Sequence, residues 1–91
     1  MNELYNFELY NFDAYDIPQW IAESLEAWGR RARPTGGFLR AVLENDLFAA
    51  YGRADPTSRA AMHEIVKAIY NQMPTGSHGS RRIVQTWTGT D

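Results

Sequence analysis

The sequence predicts an all-α protein: a small bundle of three to four helices that follows an aromatic, acidic N-terminal arm. From Ile17 onward, apolar residues recur at spacings of three and four positions, which is the pattern of amphipathic helices. No stretch in the last three-quarters of the chain alternates apolar and polar residues as a strand would. The 91 residues include no cysteine and are enough for one modest core. We therefore predict an arm at residues 1–15 and one helical domain at residues 16–91.

The first predicted helix starts near Pro18, a residue that is well tolerated in a first helical turn. Gly29 is the predicted stop, and the segment "RRARPTGG" after it has the composition of a loop. The positions that share the apolar face of this helix are Ile17, Trp20, Ile21, Ser24, Leu25 and Trp28.

The second predicted helix begins after a Thr35 cap and ends at Gly52. Its apolar stripe contains one acid, Asp46. A buried carboxylate is costly unless it is paired, so we expect Asp46 to be mostly buried and to have a specific partner, either an arginine or a helix-terminal N–H. The alternative is a carboxylate that contacts a ligand or partner in a cleft. The stripe consists of Leu39, Val42, Leu43, Asp46, Leu47 and Ala50.

Two further helices complete the predicted bundle. Asp55 followed by Pro56 is a strong start signal for the third helix, which carries its apolar residues up to Met73. Ser80 is the predicted cap of a short fourth helix that ends near Trp87, and "TGTD" is a tail.

The arm contains the pentapeptide "ELYNF" twice, at residues 3–12. Residues 1–29 carry six acidic and no basic side chains, whereas residues 30–91 carry nine basic and five acidic ones. Either the two ends attract each other, within one molecule or between copies, or they form surfaces that meet different partners. Because aromatic side chains are common interface anchors, the predicted partner-binding residues are those of the arm. They are Tyr5, Phe7, Tyr10, Phe12 and Tyr15.

Two glycine-bearing loops are candidates for binding phosphate through arginines and free backbone N–H groups at helix starts. Asn45 or Asp46 would then contact a base or sugar. The P-loop spacing is absent, and ordinary surface loops explain the same residues. The candidate ligand-binding residues are Arg30, Arg31, Arg33, Gly36, Gly37, Asn45, Asp46, Ser80, Arg81 and Arg82.

No catalytic acid, base and orienting group can be named together, so we predict that the chain is not an enzyme. The zinc motif H-E-x-x-H fails because Lys67 stands where its second histidine should be, and we predict neither a metal nor a cofactor. A His78–Ser80 nucleophile pair stays open. We expect no DNA binding, because no basic recognition helix is present, and no membrane insertion.

The segment "TGGFLRAVLENDLFAAYGRAD" and the later "GS" before a tryptophan resemble a widespread family of small proteins from bacteriophages and prophages. The resemblance spans about residues 18–88 and excludes the repeated pentapeptide. The residues that carry it are Pro18, Ile21, Gly36, Gly37, Phe38, Leu39, Ala41, Val42, Leu43, Asn45, Asp46, Leu47, Gly79, Ser80 and Trp87.

This resemblance implies origin rather than activity. By analogy with the class of phage accessory proteins, we expect a protein of the host bacterial cytoplasm that binds and inhibits a host protein machine, including anti-CRISPR-like or other anti-defence action. The alternative is a sponge that sequesters a nucleotide or cyclic-nucleotide immune signal. A third possibility is a homo-oligomer in which the acidic and basic ends pair.

Overall fold

The computed structural model describes residues 9–91, and this part of the chain contains six helices and no strand. The predicted all-α class is therefore confirmed, but the helices are shorter and more numerous than the three to four expected. They are α1 (Gln19–Arg31), α2 (Gly37–Leu43), α3 (Leu47–Arg53), α4 (Pro56–Ala60), α5 (Met62–Gln72) and α6 (Arg81–Thr86).

The predicted second helix is broken into α2 and α3 at Asn45, whose φ of 64° is left-handed. The N–H of Asn45 donates to the carbonyl of Val42 at 3.0 Å, and the N–H of Asp46 donates to that of Ala41 at 2.9 Å. This pair of bonds is the Schellman motif that ends helices. Asparagine tolerates the left-handed conformation better than most residues because its short polar side chain bonds locally. The apolar spacing continues across the break, so periodicity alone predicted one helix.

The predicted third helix is also divided, by a turn at Ala61 that separates α4 from α5. Its predicted start is confirmed, since the Asp55 carboxylate accepts the N–H of Ser58 at 2.7 Å and Pro56 opens the first turn. That hydrogen bond favours the charged carboxylate and lowers the pKa of Asp55 below its usual value.

One main core joins α1, α2, α5 and α6 with a residue of the arm, Phe12, which is 8% exposed. A smaller cluster of Ala41, Ala50 and Met62 holds α3 against α2 and α5. The buried residues of the main core are Phe12, Ile21, Leu25, Trp28, Leu39, Leu43, Ile65, Ala68, Ile69, Met73 and Val84.

The described part of the arm packs as part of the same domain. The N–H of Tyr10 donates to the carbonyl of Gln72 at 3.1 Å. The N–H of Asp16 donates to the Glu64 carboxylate at 3.2 Å, and this bond lowers the pKa of Glu64. Packing therefore does not begin at residue 16, where the sequence pattern placed the domain boundary. Of the five predicted anchors, Tyr5 and Phe7 lie outside the described residues.

Helix α1 does not stop at Gly29, as predicted, but continues to Arg31 and ends at Ala32, whose φ of 55° is left-handed. Gly29 is buried because the ring of Tyr10 packs directly on its backbone, where a Cβ atom would collide with the ring. The guanidinium of Arg30 covers the same ring at 4.8 Å from its centre. Glycine is needed here for close packing rather than for a turn.

The tail after α6 completes the carbonyl end of α1, which has no helical N–H groups left to bond. The indole N–H of Trp87 donates to the carbonyl of Trp28 at 2.9 Å. The backbone N–H of Thr90 donates to Gly29 at 3.0 Å, and that of Asp91 donates to Arg30 at 2.9 Å. The "TGTD" segment is thus a structural cap.

We predict that Gly29→Ala destabilises the fold because the new methyl group meets the Tyr10 ring. Overpacking of this kind costs about 1–3 kcal/mol, measured as the free energy of urea unfolding. In a Tyr10→Ala background the same change should cost little or stabilise, since alanine is about 1 kcal/mol better than glycine inside a helix. An equal cost in both backgrounds would show that the ring does not dock on Gly29.

Candidate functional site

The largest concave feature is a cleft of about 510 Å³ where the end of α1, the loop after it, the start of α2 and helix α6 meet. We refer to it as the tryptophan cleft, since Trp28 and Trp87 form part of its wall. The other lining residues are Ala32, Pro34, Thr35, Gly36, Gly37, Arg40, Leu43, Val84 and Gln85.

The inner wall of this cleft is apolar. Trp28, Leu43 and Val84 are each buried and belong to the main core. The indole N–H of Trp28 donates to the carbonyl of Ser77 at 2.8 Å, and that of Trp87 donates to Trp28. Because both indole donors are engaged, the two side chains offer the cleft only their carbon surfaces.

Polar groups are confined to the edge of the cleft. The Nε of Arg40 donates to the carboxylate of Glu44 at 2.8 Å, and the Glu44 side chain is almost completely buried. Among residues 9–91, the terminal nitrogens of Arg40 make no hydrogen bond. Gln85 is exposed, and its amide likewise has no partner in this part of the chain. The cleft therefore has one cation and one amide at its edge.

Of the ten residues predicted to bind a ligand, Gly36 and Gly37 line this cleft and the other eight do not. Arg30 is used structurally: its guanidinium lies 2.8 Å from Glu26 and 3.7 Å from Asp91, in addition to covering Tyr10. Arg31 and Arg33 are exposed beside the loop.

The second predicted loop contributes its helix rather than its glycine. Ser80 is confirmed as the cap of α6, accepting the N–H of Ile83 at 3.2 Å. Arg81 and Arg82 are exposed in the first turn of that helix. Residues of α6 one turn later, Val84 and Gln85, are those that reach the cleft.

The expected burial of Asp46 is wrong, because the residue is exposed at the N-cap of α3. Its carboxylate accepts the N–H of Ala49 at 3.1 Å, so the predicted helix-terminal partner is present. Asn45 lies in a separate groove with Tyr70 and His78. Neither residue reaches the tryptophan cleft, and both have a local structural role in the break between α2 and α3.

His78 is paired with Ser77 rather than with Ser80. The hydroxyl of buried Ser77 donates to the carbonyl of Pro74 at 2.7 Å and lies 3.1 Å from Nδ1 of His78. Since the only hydroxyl proton goes to Pro74, Nδ1 must be the donor to Ser77, which is the opposite of a base activating a nucleophile. Burial lowers the pKa of His78.

A second surface feature was missed in the sequence. On α3, Phe48 is 87% exposed and Leu47 is 60% exposed, and Tyr51 lies one turn further along the same face. We call these three residues the α3 patch. Leu47 was expected in the buried stripe of a continuous helix. The break at Asn45 changes the phase of α3, so that Ala50 faces the core instead.

Searches against protein-family models, curated proteins and solved structures found no match to this chain. Within residues 9–91, no helix is both long and apolar enough to cross a membrane. The same range holds no group of three or more acidic or histidine side chains arranged to bind a metal ion.

We predict that Asp46→Ala lowers the free energy of unfolding by about 0.5–2 kcal/mol, as expected for loss of an N-cap. The buried ion pair assumed from the sequence would instead cost about 3–5 kcal/mol. Asp46→Ser should retain most of the stability because serine also caps well. Denaturant unfolding of the two variants distinguishes the cases, and a loss as large as that of a buried pair would contradict the exposed position.

Proposed function

We propose that this chain is a non-catalytic accessory protein that binds and inhibits a host protein machine, and that the α3 patch is its main contact surface. The observation that supports this is the exposure of Leu47 and Phe48 side by side on a helix whose other face is packed. Contiguous exposed apolar surface on a small protein commonly marks an interaction site.

The α3 patch has the properties of an interface anchor. Aromatic side chains bury about 150–250 Å² each, and those of Phe48 and Tyr51 are still largely available. The helix that carries them is fixed by the Asp46 cap and by Ala50, which packs with Ala41 and Met62. A rigid anchor loses little conformational freedom on binding, which favours affinity.

The predicted role of the arm must be narrowed. The ring of Phe12 is in the main core and is not available to a partner. Tyr10 and Tyr15 are half-buried, and together with Asp13, Glu23 and other residues they line a shallow polar groove. We propose that this acidic surface, with Tyr5 and Phe7 of the arm, adds contacts to a basic region of the partner.

The biological setting of this proposal rests on the resemblance to phage and prophage proteins. Small phage proteins without catalytic groups often act by blocking a host component. We propose a bacterial host protein as the partner, in the cytoplasm, with an anti-defence role of the anti-CRISPR type as the leading form.

We expect the double variant Leu47→Ala/Phe48→Ala to lose binding of the partner while keeping its fold. Tagged wild type, this variant and Trp20→Ala would be compared in quantitative pull-downs from a host lysate, with thermal melting as the folding check. Trp20 is the control because it is also a large exposed apolar residue but lies on α1. Removal of a hot spot costs about 2 kcal/mol or more, roughly a thirtyfold loss of affinity.

Partners that are retained equally by all three proteins would contradict the role of the α3 patch. Inhibition would then be measured as plating efficiency of a phage on bacteria that carry a defence system, with and without the chain. Deletion of residues 1–8 tests Tyr5 and Phe7 separately and leaves every core residue in place. Deletion of residues 1–15 would also remove Phe12 and confound binding with unfolding.

A second candidate function is sequestration of a nucleotide or cyclic-nucleotide signal, and the tryptophan cleft favours it. The volume of the cleft falls within the range of about 300–1,000 Å³ that is typical of small-molecule sites. Most of the predicted arginines do not line it, so any phosphate recognition there would depend on Arg40 and on side chains beyond the lining, such as Arg81.

We expect a nucleotide that binds this cleft to raise the melting temperature, because a ligand that binds only the folded state must stabilise it. At a free concentration about a hundred times Kd, the stabilisation is about 2.7 kcal/mol. A thermal-shift screen of mononucleotides, dinucleotides and cyclic oligonucleotides would measure it. No shift with any of these at large excess would remove the sponge function.

A further inference from the structure

We infer that the tryptophan cleft accommodates a flat aromatic ring that carries one anionic group, with the ring against the inner wall and the anion at Arg40. This inference rests on the second candidate function and names the ligand class of its site. It also predicts which part of a nucleotide is recognised: the ring provides the main contact, and the phosphate is held only at the edge.

The inner wall selects for a ring because it cannot satisfy polar groups. Trp28 and Trp87 have both spent their indole donors on backbone carbonyls, and Leu43 and Val84 are aliphatic. A phosphate or a sugar placed against this wall would lose its water without gaining hydrogen bonds, which is unfavourable. An aromatic ring loses no hydrogen bonds there and gains contact with indole carbons.

The edge of the cleft selects for a single anion. Glu44 holds Arg40 through Nε, which fixes the guanidinium and leaves its terminal nitrogens to donate outward. The Glu44 carboxylate already offsets part of this positive charge, so a cluster of phosphates would be poorly compensated at this point. Gln85 offers both a donor and an acceptor at the same edge, so it can hydrogen-bond a ring substituent.

Five probes separate these elements of recognition: AMP, adenosine, ribose 5-phosphate, inorganic pyrophosphate and 2-naphthoate. Binding would be measured by calorimetry and by changes in NMR chemical shifts of the indole N–H groups. We expect AMP, adenosine and 2-naphthoate to bind, with shifts at Trp28 and Trp87 and none at Trp20. Ribose 5-phosphate and pyrophosphate should not bind at about 1 mM.

Substitutions at the edge test the position of the anion. Arg40→Gln should weaken AMP and 2-naphthoate by about tenfold, as expected for loss of a charged hydrogen bond, and leave adenosine unchanged. Lys67→Gln makes the same change of charge outside the cleft and is the matched control. Circular dichroism and thermal melting of each variant check the fold.

The outcomes separate the inference from the function on which it rests. Binding of 2-naphthoate without AMP would support the ring-and-anion cleft and remove the nucleotide sponge. Pyrophosphate or ribose 5-phosphate binding as tightly as AMP would overturn the inference while leaving the sponge in place. Absence of binding by every ring-bearing probe, or equal loss of affinity in Arg40→Gln and Lys67→Gln, would also overturn it.

Discussion

The carbonyl end of α1 is the point on which the other parts of the structure depend. A helix that ends inside a protein must have its last carbonyl groups satisfied, because unpaired backbone groups away from water are costly. Here the donors come from far along the chain, from the indole of Trp87 and the backbone of Thr90 and Asp91. Tyr10 covers the same turn from the other side. The arm, the tail and α6 are therefore all positioned by this end of α1.

The tryptophan cleft is a direct consequence of this arrangement. The bond from Trp87 to the carbonyl of Trp28 places the two indoles in one wall, and it also orients the last turn of α6, which carries Gln85. The opposite wall follows from the loop after α1, which turns at Ala32 and leads into Gly36 and Gly37. A feature with ligand-sized volume thus arises from groups that the fold needs for its own hydrogen bonding.

Short helices place a second demand on this fold. Helices α2, α3, α4 and α6 have five to seven residues each, a length at which helices are not stable alone. Three of them begin with a side-chain cap, from Asp46, Asp55 and Ser80. These caps and the packing of single faces do the work that length does in a conventional bundle. The exposed α3 patch is possible because Ala50 and the Asp46 cap alone are enough to hold α3 in place.

The sequence predicted the helical class and two of the caps correctly, since both depend on local patterns at Asp55 and Ser80. It failed at Asn45–Asp46, because apolar spacing is the same for one long helix as for two that are joined by a tight turn. The local signal was there: asparagine favours the left-handed C′ position and aspartate favours the N-cap. From that error followed the wrong burial of Asp46 and the missed exposure of Leu47 and Phe48.

Other features could not be predicted, because they depend on contacts between distant residues. Gly29 has the local signature of a helix stop, and only the docking of Tyr10 explains why the helix continues through it. The glycines of the tryptophan cleft were noticed for their loop, but nothing local indicates that Trp28 and Trp87 lie beside them. The hydrogen bond between these tryptophans spans 59 positions.

The uneven distribution of charge can now be examined in physical terms. In the described part of the chain, most close ion pairs are local, from Glu26 to Arg30, Arg40 to Glu44 and Glu64 to Lys67. The segment from residue 9 to 16 is attached by backbone hydrogen bonds and by Phe12, and it forms no close ion pair with the basic part of the chain. Asp13, Asp16 and Glu23 stay exposed. Attraction between the two ends is therefore not what folds this segment onto the domain, and its negative surface is left available for a partner of opposite charge.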